Sequence, residues 1–170
     1  MRELERRDTA DDPTVAVATR RRRGRGPLAS GAMGLFGKFA YSDGRWSTDG
    51  PTAVPFLLLD VHDGHVVTVD YRAADASGGR FFLGYEPRFY FDEPGTATPV
   101  DTAAEAEGFA AWAREATQTD VDPAEVQAVM ASPEGAPPTD ESVMETVEKL
   151  LVLAGLPLPD WPTDDDEPAH

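Results

Sequence analysis

Cysteine, isoleucine and asparagine do not occur in this chain of 170 residues, and lysine occurs only at Lys38 and Lys149. The missing cysteine excludes disulfides, thiolate metal ligands and cysteine nucleophiles. The other absences fall on amino acids with A/T-rich codons, while Ala, Gly, Pro, Arg and Asp abound. That usage fits a bacterial gene of high GC content. No run approaches the ~18 consecutive apolar residues of a membrane-spanning helix. The arginine cluster Arg20–Arg23 is followed by PLASGAMGLFGKF, too short and too glycine-broken for the apolar region of a signal peptide. The expected compartment is therefore the cytoplasm.

What is present is acid. The formal net charge is −16, and it is unevenly placed. Residues 1–32 hold eight Arg against five acids, whereas residues 33–170 hold seven basic residues against twenty-six acids. A body so acidic repels nucleic acid and anionic membrane and attracts basic surfaces. Residues 1–32 have few large apolar side chains and read as a disordered basic extension ahead of Met33, where MGLFGKF resembles a natural start. Nucleic-acid contact is expected only through this arginine cluster, which lacks interleaved aromatics. Residues 33–160 read as a single domain, and residues 161–170 as a disordered acidic tail.

From residue 35 to residue 92 the pattern is that of β-strands. Leu35–Tyr41 and Arg45–Thr48 flank Asp43-Gly44, and Phe56–His62 and His65–Arg72 flank Asp63-Gly64. Asp-Gly suits the two-residue hairpin turn that requires positive φ. Gly78-Gly79 is expected to turn the chain into Arg80–Tyr85, and Glu86-Pro87 to separate that strand from another at Arg88–Phe91. Beyond residue 100 the period becomes helical. Thr102 and Glu105 have capping-box spacing ahead of Phe109, Trp112 and Ala113. Asp122-Pro123 starts a second helix. Thr139 or Asp140 is expected to cap a third, with Val143, Val147, Leu150 and Leu151 on one stripe and Gly155 at its end. The predicted fold is α+β: an antiparallel meander of four to six strands packed by two or three C-terminal helices.

The most specific polar cluster is Asp60-x-His62-x-x-His65. A two-residue turn at Asp63-Gly64 sets the two imidazoles opposite each other, with Asp60, Phe56, Leu58, Val67, Val69 and Tyr71 on their face. Such a trio suits Zn²⁺ and supports an alternative reading as a metal-dependent enzyme. No further anchoring ligand can be placed, so no metal or cofactor is assigned. Residues 32–38 echo a phosphate-binding loop, but Phe39 stands where Ser or Thr must meet Mg²⁺. Nothing else sets a nucleophile beside a base, and no catalytic residue is assigned.

The aromatic stretch Phe81–Phe91 offers a protein-binding patch, with Tyr85, Arg88 and Tyr90 as candidates and Trp46 as a further one, because Tyr, Trp and Arg dominate interface energetics. In size, charge and layout, residues 34–160 resemble the small acidic immunity proteins of bacterial toxin systems. The resemblance implies a non-enzymatic protein that neutralises or regulates a basic partner, often a nuclease, through electrostatic and aromatic contacts. A structural or housekeeping role is the remaining alternative.

Overall fold

A computed structural model describes residues 37–90, 98–132 and 142–161, except the side chains of Phe89 and Tyr90. The expectations for residues 1–32, Thr139, Asp140, Phe91 and the tail beyond Trp161 lie outside these. The described chain is α+β. Five strands, β1 (Gly37–Ser42), β2 (Arg45–Ser47), β3 (Phe56–His62), β4 (Val66–Arg72) and β5 (Gly78–Gly84), form one antiparallel sheet in the order β2-β1-β3-β4-β5. A single helical turn, α1 (Pro87–Tyr90), follows, then α2 (Thr102–Thr117), α3 (Pro123–Val129) and α4 (Val143–Leu153).

Both Asp-Gly turns adopt positive φ at both residues: 52° and 76° at Asp43-Gly44, 52° and 62° at Asp63-Gly64. Strand alternation sends Leu57, Leu59 and Val61 to one face with Val67, Val69, Tyr71, Phe81 and Leu83. All of these are buried. Helices α2 and α4 pack over β4 and β5 on this side, and α3 packs against both helices. Phe109 sits edge-on to Phe81 at 5.5 Å and to Tyr71 at 5.7 Å, and Trp112 donates its indole N–H to the Arg72 carbonyl at 3.0 Å. Burying each such side chain contributes about 1.5–3 kcal/mol. Trp161, assigned to the tail by composition, instead packs its ring edge-on against Phe39.

Four local expectations are corrected. Gly78 and Gly79 lie within β5, and the turn before it is made by Ala73–Ser77, where Ala76 has a φ of 66° and the Asp75 carboxylate accepts from the Ser77 amide. Residues 87–90 are helical rather than a strand, since Pro87 is suited to a first helical position. The cap of α2 is Asp101, not Thr102, because the Glu105 carboxylate that a Thr102 box needs is turned toward Tyr71. The cap of α4 is Ser142, which forms a full capping box with Glu145. Pro123 opens α3 and Gly155 follows α4 at φ 69°, as the sequence predicts.

Candidate functional site

The Asp60–His62–His65 cluster depends on how the β3–β4 turn counts its residues. The His65 amide donates to the His62 carbonyl at 3.1 Å, closing the Asp63-Gly64 turn. The strands beyond it pair His62 with Val66 and Asp60 with Thr68. His65 is thus an extra residue on one strand, a bulge, and does not face His62. One added residue reverses the facing of everything after it. Val67, Val69 and Tyr71 therefore point away from Asp60, into the core. On the outer face, Asp60 accepts from the Lys38 ammonium at 3.0 Å through one oxygen and lies 3.3 Å from His62 Nε2 through the other. Among the described residues no three His, Asp or Glu side chains gather at metal-binding distance.

The four aromatic and arginine candidates are dispersed. Trp46 lies on edge strand β2, edge-on to Tyr41, with its indole N–H donated to the Pro157 carbonyl at 2.7 Å. It lines a cleft of about 520 Å³ with Arg45, Asp49, Thr52 and Asp160. Tyr85 follows β5 at the opposite edge, 38% exposed. Four interstrand spacings of ~4.8 Å put roughly 19 Å between the two edges. Arg88 follows Tyr85 by three residues but is largely withdrawn from the surface. Its Nε donates to both oxygens of Glu86 at 2.9 Å, and neither side chain is more than 18% exposed. The Tyr90 side chain is not among those described.

Sequence reasoning missed a part-buried polar pair. The Tyr71 hydroxyl donates to Glu105 Oε2 at 2.9 Å, and both line a cleft of about 450 Å³ between the end of the sheet and α2. Burial, then the hydrogen bond to Glu105 and its negative charge, push the Tyr71 phenol well above the ordinary tyrosine value. A phenol so disposed keeps its proton and acts as a fixed donor, not a general acid. Gly79 and Gly108 make the niche possible, since a Cβ on either would run into the Tyr71 hydroxyl or the Glu105 carboxylate. A glycine inside the α2 pattern is the only trace of this in the sequence.

Charge is the broadest feature of the surface. The described residues include seventeen acids and seven cations. Lys38, Arg80, Arg88 and Arg114 are each held by an acid: Asp60, Asp70, Glu86 and Asp120. Asp101, Asp122 and Glu145 serve as helix caps or cap partners, close to the positive ends of their helices. The remaining excess includes Glu107, Glu125 and Glu148 on the helical layer. None of the described helices is long and apolar enough to cross a membrane. No protein-family model, curated protein or solved structure matches the chain.

Proposed function

We propose that this chain is an acidic cytoplasmic binding protein whose partner is a protein with a basic surface, which it neutralises or regulates. The observation that carries the reading is the seventeen-to-seven excess of acids among the described residues, with four of the cations already held by acids. A surface of one sign raises the encounter rate with an oppositely charged partner and disfavours like-charged ones. The same field works against a nucleic-acid ligand, whose phosphates it repels. Because His65 does not face His62, the Asp60, His62 and His65 trio lends the enzymatic alternative no support.

The test uses the full chain as bait in extracts of its source cell, at about 0.05 M and about 0.3 M salt, where the screening lengths differ more than twofold. The expected result is a discrete, basic partner retained at the lower salt and released at the higher. Retention of neutral or acidic proteins only, or a basic partner indifferent to salt, overturns the proposal.

A further inference from the structure

We infer that the groove between α3 and α4 is a docking site for a short basic amphipathic segment of the partner, with its apolar side chains down and its cations on the rim. The inference rests on the binding function proposed above and gives that function a place. The groove has a volume of about 600 Å³. Its apolar lining is Ala128 and Val129 from α3 and Val152 and Leu153 from α4. Helix α4 already commits Val143, Val147, Leu150 and Leu151 to the core, so its apolar requirement is met without Val152. Yet Val152 is 68% exposed, more than any other large apolar side chain among the described residues. A β-branched residue on the open side of a helix gains nothing in helix propensity over Lys, Glu or Gln. It does supply an apolar anchor point.

The rim decides what chemistry the occupant has. Glu125 borders the groove from α3, and Glu145 and Glu148 border it from α4. Lys149 is the single cation there, one turn beyond Glu145, whose carboxyl it helps hold below the ordinary value after the larger effect of the Ser142 hydrogen bonds. The lining thus sets three carboxylates and one ammonium beside four apolar side chains and is net negative. That pattern matches a helix with large apolar residues at i, i+3, i+4 and i+7 and Lys or Arg flanking them. A second copy of this chain fits poorly, because a self-complementary contact would bring two glutamate rims together. The lining residues of α4, Glu145 to Leu153, span roughly 12 Å, about two turns of a partner helix and enough for anchors at i to i+7.

The probe is a synthetic peptide of roughly 14 residues, about four helical turns, with Leu at those anchor positions and Lys elsewhere. A control peptide replaces each Leu with Ser at the same charge. Both are titrated into the full 170-residue chain at about 0.15 M salt, with affinity read by fluorescence anisotropy and location by amide chemical shifts. The Leu peptide is expected to bind at least about tenfold more tightly than the Ser peptide, a difference of apolar anchoring alone. Shifts are expected to centre on Ala128, Val129, Val152 and Leu153. The variant carrying Ala128→Gln and Val152→Gln changes two exposed residues and keeps the net charge. It is expected to keep its far-UV circular dichroism and to lose the Leu peptide by at least about tenfold. Lys149→Gln is expected to tighten binding severalfold.

Equal binding of both peptides, or shifts spread over the surface, overturns the groove while leaving general acidic recognition standing. Failure of both peptides to bind also overturns the groove, and acidic recognition then stands or falls on the extract experiment alone. Self-association of the chain that the double variant abolishes in sedimentation velocity assigns the groove to a second copy, and also overturns the inference.

Discussion

Between Tyr71 and Glu105 the 2.9 Å hydrogen bond occupies space that Gly79 and Gly108 leave open. Gly108 lies inside α2, where alanine is favoured by about 1 kcal/mol over glycine. The Cβ of an alanine there meets the Tyr71 hydroxyl far inside van der Waals contact, while the next atom, Cζ, is 3.3 Å away. Gly108→Ala is therefore expected to destabilise by about 1–3 kcal/mol in denaturant unfolding, the usual cost of overpacking. In a Tyr71→Phe background the obstructing oxygen is gone, and the same substitution is expected to be neutral or stabilising. The double-mutant cycle then reports a coupling of more than about 1 kcal/mol. Equal effects in both backgrounds would show that the niche is not what constrains Gly108. The phenol also gives a pH dependence. Its folded-state value is raised above the ordinary 10.0, so the unfolded chain loses this proton first as pH rises. The contribution to stability is whole below about pH 10 and declines as pH climbs from there toward the folded value. Tyr71→Phe should remove this part of the alkaline loss of stability. The sequence shows Gly108 breaking a helical pattern but not its partner, because Tyr71 is thirty-seven residues away (108 − 71) and reaches it only once the sheet is formed.

At the scale of elements, the hairpins and the amphipathic helices are legible because their signals are local. Asp-Gly at residues 43–44 and 63–64 sets both φ angles of each turn, and Pro123 and Gly155 mark helix ends by their own backbone preferences. The bulge at His65 is not local. The choice between pairing His62 with His65 or with Val66 depends on sending Val67, Val69 and Tyr71 to the side where α2 and α4 pack. It depends also on β5, whose continuation at Tyr85 donates its amide to the His65 carbonyl at 3.2 Å. The candidate metal trio requires both a turn that the sequence specifies and a register that it does not. Removing His65 altogether should leave a plain two-residue turn with His62 still opposite Val66. Deletion of His65 is expected to preserve the fold, at a cost of about 0.5–1.5 kcal/mol for the lost bond to Tyr85. Unfolding midpoint and far-UV circular dichroism check this. Collapse of the sheet on deletion would mean that the bulge itself sets the register.

For the whole molecule, the net charge of −16 has two consequences of opposite sign. Like charges on a folded chain repel, and unfolding moves them apart, so self-repulsion lowers stability at low ionic strength. The arrangement relieves only part of this, through the pairs at Asp60, Asp70, Glu86 and Asp120 and the acids placed at helix N-termini. Salt screens the long-range repulsion more than the contacts within the buried Glu86–Arg88 pair, since the Debye length falls from ~30 Å at 0.01 M to ~8 Å at 0.15 M. The melting temperature is expected to rise across that interval, by roughly 2–4 °C for each kcal/mol of repulsion screened. Binding to a basic partner runs the other way, because screening removes the attraction that brings the two together. The same salt series, read once by thermal unfolding and once by titration with the Leu–Lys peptide, should give slopes of opposite sign. A melting temperature that falls with salt would mean that attractive pairs outweigh the excess of acid. The continuous negative field on which the proposed partner recognition rests would then be absent.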